Sequence, residues 1–365
     1  MPMPSKLHAG LCKEDPLSLS VSLQTNLGVE NGGILILGSS GEGKSSAGQS
    51  LAYQYVRQGI PVFGIDLNQT MSPSHICPQL QPKFEDVAIR HDLYQHPVPS
   101  GLIRPLIYDN YIEDSYDTAY GLSEIIGQNK SLRLGPAQVA TLADAIQPLV
   151  ECRNICPQIF PGILDELEKS SSVNARRLAK RLAPLLHHNV FECRQDGGTS
   201  LPLSPHIHIF DLSNFPSGIK KTLAELLLYD WFRAARVLHT PFCIMIDEVQ
   251  NLSVGPNSIL GQIISEGRKF GIGTILLSQT LKGFSPEERV CLSQSRYRLV
   301  FRPPMAETRS FVEMLSDPQH RAEILELLKS LNVGQCLLSG PAYIGDDPQP
   351  CTDCIKITVD LSEYD

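Results

Sequence analysis

Short apolar runs alternate with longer segments of helical periodicity along the chain. The runs are rich in Ile, Val and Leu, and several are apolar at consecutive positions, as in strands that are covered on both faces. This pattern predicts an α/β fold of strand–helix units, with a mostly parallel central sheet flanked by helices. The predicted strands are Ile34–Leu37, Pro61–Ile65, His206–Phe210, Phe242–Ile246, Thr274–Leu277, Arg298–Phe301 and Gln335–Leu338.

Helices are predicted where apolar residues recur three and four positions apart. One stretch lacks this periodicity: the prolines between Thr70 and Pro105 keep regular structure short, so this segment is predicted to be mostly loop. We interpret residues 106–199 as a mainly helical insertion within a single domain that covers residues 1–365. The predicted helices are Ser46–Arg57, Gln138–Leu149, Asn174–Leu186 and Leu223–Leu238.

The composition is that of an ordinary globular protein, with 42% hydrophobic and 19% charged residues. A net charge of −8 argues against a surface that binds nucleic acid everywhere, but it allows a local basic channel. No apolar run reaches the roughly 20 residues of a membrane-spanning helix, and Met1–Gly10 lacks the pattern of a secretory signal. We therefore expect a cytoplasmic protein that does not associate with membranes.

The ten cysteines form no even framework, which favours free, mostly buried thiols over disulfides. A metal site is the less favoured interpretation, because no second C-x-x-C pair stands at a zinc-finger distance from the first. The side chains that could be imagined as ligands are Cys351 and Cys354, and separately Cys152, Cys156, His187, His188 and Cys193.

A glycine-rich segment follows the first predicted strand. Gly38-Ser39-Ser40-Gly41-Glu42-Gly43-Lys44-Ser45 has the pattern G-x-x-x-x-G-K-S, and a helix-forming run begins at Ser46. Such loops bind phosphate because their glycines let backbone N–H groups converge on the oxygens, and the next helix directs its positive end toward them. Lys44 would bridge the β- and γ-phosphates of ATP, and Ser45 would bind Mg²⁺. The alternative is a glycine-rich turn that binds nothing.

Two acids leave the tip of another predicted strand. Phe242–Ile246 is apolar, and Asp247 and Glu248 follow it directly. Asp247 could hold Mg²⁺ through its water shell, while Glu248 polarises the attacking water. Two neighbouring acidic residues usually lie on the solvated surface of a protein. The functional interpretation therefore depends on the presence of the glycine-rich loop.

Two further polar residues, Arg268 and Gln279, follow the acid pair along the chain. Gln279 follows the apolar strand Thr274–Leu277 and could contact the γ-phosphate or the attacking water. A turn residue bonded to backbone is an equally good interpretation. Arg268 could act on a neighbouring subunit's nucleotide as an arginine finger, although an arginine more often faces water or a carboxylate.

Together these elements resemble the FtsK/HerA superfamily of ring-forming ATPases, a branch of the RecA-like P-loop fold. The segments Asp247–Leu252 and Ser265–Thr280 are similar to the helicase and conjugation-ATPase signature of that superfamily. His206–Ser213, followed by a long apolar helix, also matches the HerA arrangement. The likeness covers roughly residues 30–340.

The resemblance implies a hexameric motor that hydrolyses ATP to move double-stranded DNA through a central pore. It implies catalytic roles for Lys44, Glu248 and Gln279, with Arg268 acting in trans. It also implies a homo-oligomer whose partner is a nuclease or other effector. Two other functions stay open: a secretion- or conjugation-type ATPase that moves or remodels protein, and a nucleotide-gated assembly module.

The sequence departs from the superfamily pattern at two places. Full-length HerA proteins carry an amino-terminal β-barrel, but only about 30 residues precede the first predicted strand, so we expect the barrel to be missing. Glu42 replaces the small residue common in the loop, and we expect its side chain to point outward.

A compact basic patch lies on one side of a predicted helix in the insertion. Its members are Arg176, Arg177, Lys180 and Arg181. The patch could contact DNA phosphates. A solvated face or a subunit contact is the favoured alternative.

Overall fold

The computed structural model describes residues 5–14, 17–27, 32–108, 110–128, 132–152, 158–193 and 201–361. Two compact units are formed, the first by residues 1–89, 203–209 and 240–365, the second by residues 90–202 and 210–239. The strands are β1 (Ser5–Glu14), β2 (Leu17–Thr25), β3 (Gly33–Leu37), β4 (Val62–Asp66), β5 (Ala88–Asp92), β6 (Val98–Ser100), β7 (Phe191–Cys193), β8 (Ile207–Asp211), β9 (Phe242–Ile246), β10 (Ile272–Ser278), β11 (Tyr297–Phe301), β12 (Gln335–Ser339), β13 (Ala342–Ile344) and β14 (Ile355–Thr358). The α-helices are α1 (Lys44–Arg57), α2 (Gln81–Val87), α3 (Ser115–Gln128), α4 (Pro136–Glu151), α5 (Ile159–Lys169), α6 (Val173–Leu186), α7 (Ser217–Leu238), α8 (Ile259–Glu266), α9 (Pro286–Leu292), α10 (Thr308–Leu315) and α11 (Arg321–Lys329).

A mixed sheet has the strand order β13-β2-β1-β14-β12-β11-β3-β10-β9-β4-β8-β5. Its centre is parallel, because β11, β3, β10, β9 and β4 pair side by side in the same direction. All seven strands predicted from apolar runs are present. Among them, β3, β4, β9 and β10 are buried along their whole length, as strands covered on both faces should be. The predicted α/β fold class is confirmed.

The parallel centre brings several strand ends to one edge. Leu37 at the end of β3 pairs with Ser278 at the end of β10, and Ile246 at the end of β9 pairs with Leu276. The polar residues that follow these strands therefore begin at nearly the same level of the sheet. Ligands of open α/β sheets bind outside such carboxyl ends.

An antiparallel extension was not predicted. β1 and β2 form a hairpin, and β14 pairs antiparallel with β1 and with β12. The prediction that Ile34–Leu37 is the first strand is therefore wrong. β2 reads L-S-L-S-V-S-L, and Val21 and Leu23 on one face are fully buried. Such alternation is typical of a half-buried strand and differs from the continuous apolar runs that indicate strands covered on both faces.

The core of the first unit is built on the central sheet. Phe63 of β4 and Phe242 of β9 stack with ring centroids 4.8 Å apart. Helix α1 buries Leu51 and Tyr55, and the Tyr55 hydroxyl donates to Thr25 Oγ1 of β2 at 3.2 Å. The helix that follows the glycine-rich loop is therefore anchored on one side by packing.

The second unit contains α3–α7 and the two-stranded sheet β6–β7. The predicted helices Gln138–Leu149, Asn174–Leu186 and Leu223–Leu238 lie within α4, α6 and α7. Arg233 of α7 is buried and donates to the carbonyls of Gly101, Leu102 and Arg104 and to the Glu113 carboxylate. One buried cation thus holds three carbonyl groups of an irregular segment.

The domain division and the cellular location remain predictions from the sequence. The division into a single domain with an insertion at residues 106–199 stays a prediction, as does the cytoplasmic location. In the described residues, no helix combines the length and apolar character needed to cross a membrane.

Candidate active site

The glycine-rich loop connects β3 to α1 at the carboxyl edge of the sheet. The N–H of Gly38 donates to Ser278 O at 3.3 Å, and the N–H of Ser39 donates to Arg302 O at 2.8 Å. The loop is thus held between the ends of β10 and β11. Gly43, at φ 109°, precedes the first turn of α1, and a Cβ there would lie 3.3 Å from Phe301 Cε1. Conformation and space both favour glycine at this position.

Lys44 is the first residue of α1 and is buried. Its Nζ donates to Ser39 O at 2.6 Å, so the side chain curls back over its own loop. Burial lowers the pKa of Lys44 below its usual value, and the negative charges of Asp247, Glu42 and Glu248 oppose that shift. The predicted phosphate-binding lysine therefore lies within electrostatic range of the predicted acid pair.

The remaining loop residues differ in how far they are exposed. Ser40 and Gly41 are exposed, whereas Ser39, Ser45 and Ser46 are partly buried. The expectation that Glu42 points outward is wrong, because its side chain is only 13% exposed and its Oε1 lies 3.9 Å from Arg302 Nη1. Its Oε2 is buried and has no hydrogen-bond partner among the residues that the structure describes.

The acid pair follows β9 as predicted. Asp247 is buried, and its Oδ1 accepts a hydrogen bond from the Glu248 N–H at 2.8 Å. Burial raises the pKa of Asp247, while hydrogen bonds from Thr70 and the Glu248 N–H, together with the charge of Lys44, act in the opposite direction. Glu248 has φ 57° and ψ 47°, a left-handed conformation that is uncommon for residues other than glycine. This turn redirects the chain at the strand tip.

Glu248 is surrounded by amide donors. Gln279 Nε2 donates to its Oε1 at 3.2 Å, and Asn251 Nδ2 donates to its Oε2 at 3.2 Å. Asn68 Nδ2 also donates to Oε2. Gln279, which the sequence assigns to this site, thus contacts the site through Glu248.

Three residues of this region were not predicted. Asn68 and Arg302 follow the predicted strands Pro61–Ile65 and Arg298–Phe301, so the rule that found Gln279 could have found both. Glu307 is buried and accepts hydrogen bonds from the Thr280 hydroxyl at 2.6 Å and the Leu281 N–H at 2.7 Å. Although burial raises the pKa of Glu307, these hydrogen bonds outweigh it and lower the pKa. Glu307 thereby fixes the loop that begins at Gln279, and no local pattern in the sequence signals it.

Arg268 lies at the other end of β10. It belongs to a 3₁₀ helix, Gly267–Phe270, that directly precedes this strand, and its side chain is exposed. A strand rises about 3.3 Å per residue, so Arg268 stands some 20 Å or more from the Gln279 end of β10. Within one copy it is therefore remote from the loop at Lys44. Its guanidinium forms no ion pair with any residue in the described part of the chain.

The other singled-out residues lie outside this site. Arg176, Arg177, Lys180 and Arg181 are all exposed on α6, and Arg181 donates to Gln138 Oε1 at 3.2 Å. Cys156 lies outside the described residues. Among those that are described, no group of three or more His, Cys, Asp or Glu side chains could hold a metal ion.

The buried acid leads to a stability prediction. Asp247→Asn should raise the Tm of the nucleotide-free protein at pH 7–8. Because the pKa of Asp247 is raised by folding, its charged form costs the folded state free energy above the ordinary carboxyl pKa of about 4, and this cost disappears below that pH. The Tm difference should therefore shrink as pH falls toward about 4. Differential scanning fluorimetry over this range measures it.

The matched control is Asp346→Asn, since Asp346 is exposed in the same unit. This variant should show no pH-dependent difference in Tm. An Asp247→Asn protein that melts at or below the wild-type temperature at pH 7 would contradict the argument.

No protein-family model matches the chain. The "Probable DNA double-strand break repair helicase HerA" of Methanocaldococcus jannaschii is 27% identical to it over 112 residues. This similarity covers 29% of the chain and spans only 22% of the helicase's own length.

Solved structures share the fold over much more of the chain. VirB4 of Thermoanaerobacter pseudethanolicus superposes with a TM-score of 0.71 at 16% identity, covering 99% of this chain and 97% of VirB4. The plasmid coupling protein TrwB in complex with ADP and Mg²⁺ gives a TM-score of 0.60 at 13% identity, covering 94% and 91% of the two chains. These likenesses confirm the predicted fold, and the local sequence similarity to the HerA helicase agrees with the resemblance to the FtsK/HerA superfamily.

Proposed function

We propose that this chain is a magnesium-dependent ATP hydrolase of HerA type that moves duplex DNA as a ring, with a nuclease or other effector as partner. The supporting observation is that the loop bearing Lys44 follows β3 and the acid pair follows β9, at the same edge of the parallel sheet, where the charges of Asp247 and Glu248 act on the pKa of Lys44. Two sequence elements about 200 residues apart thus form one charged centre, as nucleotide hydrolysis requires.

The residues at this edge fit a triphosphate with its metal. The backbone from Gly38 to Ser46 would cradle the phosphates, and Lys44 would exchange its bond to Ser39 O for phosphate oxygens. The Ser45 hydroxyl and the Asp247 carboxylate are oxygen ligands of the kind that Mg²⁺ prefers. Bound Mg²⁺ would neutralise charge that develops on the phosphates.

Glu248 is the candidate base that polarises the attacking water, and Gln279 would sense the γ-phosphate. The bond between Gln279 and Glu248 supports these roles, because it links the end of β10, next to the loop, with the base. Arg268 would act at the site of a neighbouring copy, which agrees with its distance from its own loop. In this arrangement each active site is completed by a second subunit.

A conjugation- or secretion-type ATPase is the second candidate. The likeness to VirB4 and to TrwB, described as a bacterial conjugative coupling protein, covers at least 90% of this chain, whereas the HerA similarity is local. DNA movement is favoured because the local similarity is in sequence and includes a named DNA repair helicase.

The deciding experiment measures ATP turnover with and without linear duplex DNA at several salt concentrations. We expect DNA to raise turnover several-fold, and the stimulation to fall steeply between about 50 and 200 mM salt, because phosphate contacts release counterions. Heparin serves as a polyanion control and should stimulate less than DNA.

The outcomes separate the candidates. Turnover that is indifferent to DNA at every salt concentration would favour the second candidate. A protein that binds no nucleotide in the presence of Mg²⁺ would overturn both.

A further inference from the structure

An acidic side chain is built into the phosphate-binding loop itself. Glu42 lies two residues before Lys44, and its side chain is only 13% exposed. One of its carboxylate oxygens, Oε2, is buried and accepts no hydrogen bond from the residues that the structure describes. Bound phosphates would lie on the backbone of the same loop, so the negative charge of Glu42 would act on them over a short distance.

A cation beside this carboxylate neutralises it only in part. Arg302 Nη1 lies 3.9 Å from Glu42 Oε1, which is too far for a hydrogen bond. The Nε and Nη2 atoms of Arg302 both donate to Leu331 O instead. The Arg302 side chain is also 44% exposed, so water screens its attraction for Glu42.

Backbone hydrogen bonds fix Glu42 in the loop. Its carbonyl oxygen accepts from the Gly334 N–H at 3.0 Å, in the turn that precedes β12. Earlier in the loop, the Ser39 N–H donates to Arg302 O at 2.8 Å, at the end of β11. A glutamate side chain reaches only a few ångströms from its backbone, so the charge of Glu42 stays near bound phosphates in any of its rotamers.

The charges around Lys44 show what Glu42 adds. The negative charges of Asp247, Glu42 and Glu248 all act on the Lys44 ammonium. In the proposed mechanism Asp247 binds Mg²⁺ and Glu248 polarises water, whereas the Glu42 carboxylate has no part in the chemistry. Its effect on a nucleotide is therefore to repel the phosphates and to compete with them for the charge of Lys44. Both effects weaken nucleotide binding.

We propose that Glu42 lowers the affinity of its own loop for nucleotide, so that ADP leaves readily after hydrolysis, and that Arg302 limits this effect by partial neutralisation. The inference rests on the proposed function, since it concerns nucleotide at the same loop. It assigns the side chain of Glu42 a role beyond that of the backbone that cradles the phosphates.

The test measures binding of a fluorescent ADP analogue with Mg²⁺ to Glu42→Gln and to the wild type. Glutamine keeps the size of the side chain and removes its charge. We expect Kd to fall at least about fivefold, mainly through slower dissociation, because removal of a like charge close to the ligand favours the bound state. Equilibrium titration gives Kd, and stopped-flow displacement gives the dissociation rate.

Two control variants separate the charge of Glu42 from its shape and its position. Glu42→Asp keeps the negative charge on a shorter side chain, so its Kd should stay within about twofold of the wild-type value. Glu323→Gln removes an exposed carboxylate on α11 of the same unit and should bind ADP as the wild type does.

Arg302→Gln shows whether the arginine acts through Glu42. In the wild-type background it should raise Kd at least about threefold, because the charge of Glu42 is then less neutralised. In the Glu42→Gln background the same change should raise Kd by less than about 1.5-fold. An equal loss in both backgrounds would overturn the assignment of Arg302, since a direct contact with phosphate or a purely structural effect would add to that of Glu42.

The outcomes tell the two hypotheses apart. A Glu42→Gln variant that binds ADP no more tightly than the wild type would overturn the role of Glu42, as would an equal gain in Glu42→Asp. A wild type that binds no ADP in the presence of Mg²⁺ would instead remove the proposed nucleotide site, and this inference with it.

Discussion

Glu248→Gln is expected to bind ATP with Mg²⁺ but to hydrolyse it at least tenfold more slowly than the wild type. The amide keeps the shape of the side chain and an oxygen that accepts from Asn68 and Asn251, but it cannot take a proton from water. A tenfold loss corresponds to about 1.4 kcal/mol of transition-state stabilisation. Steady-state turnover and binding of a fluorescent ATP analogue measure the two properties separately.

Glu287→Gln is the matched control, because Glu287 is an exposed glutamate of the same unit. It should behave as the wild type in both assays. Full turnover in Glu248→Gln would show that this residue is not the base. Lost nucleotide binding would show that its role is to hold the ligand.

Arg268→Ala is expected to lower hydrolysis by at least about a hundredfold without loss of ATP binding, because an arginine finger acts on charge in the transition state. Its distance from its own loop predicts that the defect can be complemented. Mixing Arg268→Ala with Asp247→Asn should restore part of the turnover, since an intact loop then meets an intact arginine from a neighbouring copy. Titrating the two variants at constant total protein measures this recovery.

Lys269→Ala provides the control for the loss of a cation at this place. Lys269 is exposed beside Arg268 and pairs with Glu266 at 3.6 Å, so its removal should cost little. Mixtures that are no faster than the separate variants at any ratio would count against action in trans.

Much of the candidate site could be predicted because buried parallel strands leave a distinct signature. β3 and β9 are apolar along their length and β10 is apolar over Ile275–Leu277, and polar residues proposed for function follow each of these runs. Parallel strands deliver such residues to a common edge, so Lys44, Glu248 and Gln279 could be grouped from the sequence alone.

The residues that hold the site in shape were harder to find. Asn68 and Arg302 act through partners far along the chain, Glu248 and Glu42, and only the sheet order brings these pairs together. Glu307 accepts hydrogen bonds from backbone N–H groups of a loop that is distant in sequence, and no local sequence pattern predicts such an interaction. Strand β2 differs, because its period-two alternation is a local pattern that predicts a half-buried strand, whereas a bulge between His8 and Gly10 breaks the alternation in β1.

Strand β10 carries Arg268 just before its start and Gln279 just after its end. All seven of its residues are buried, and it is hydrogen-bonded to β3 on one side and β9 on the other. A strand held in this way is rigid along its axis. A displacement of Gln279 along that axis would therefore also displace the turn that bears Arg268. If the proposed ring forms, this strand would couple the nucleotide state of one subunit to hydrolysis in the neighbouring subunit that its Arg268 contacts.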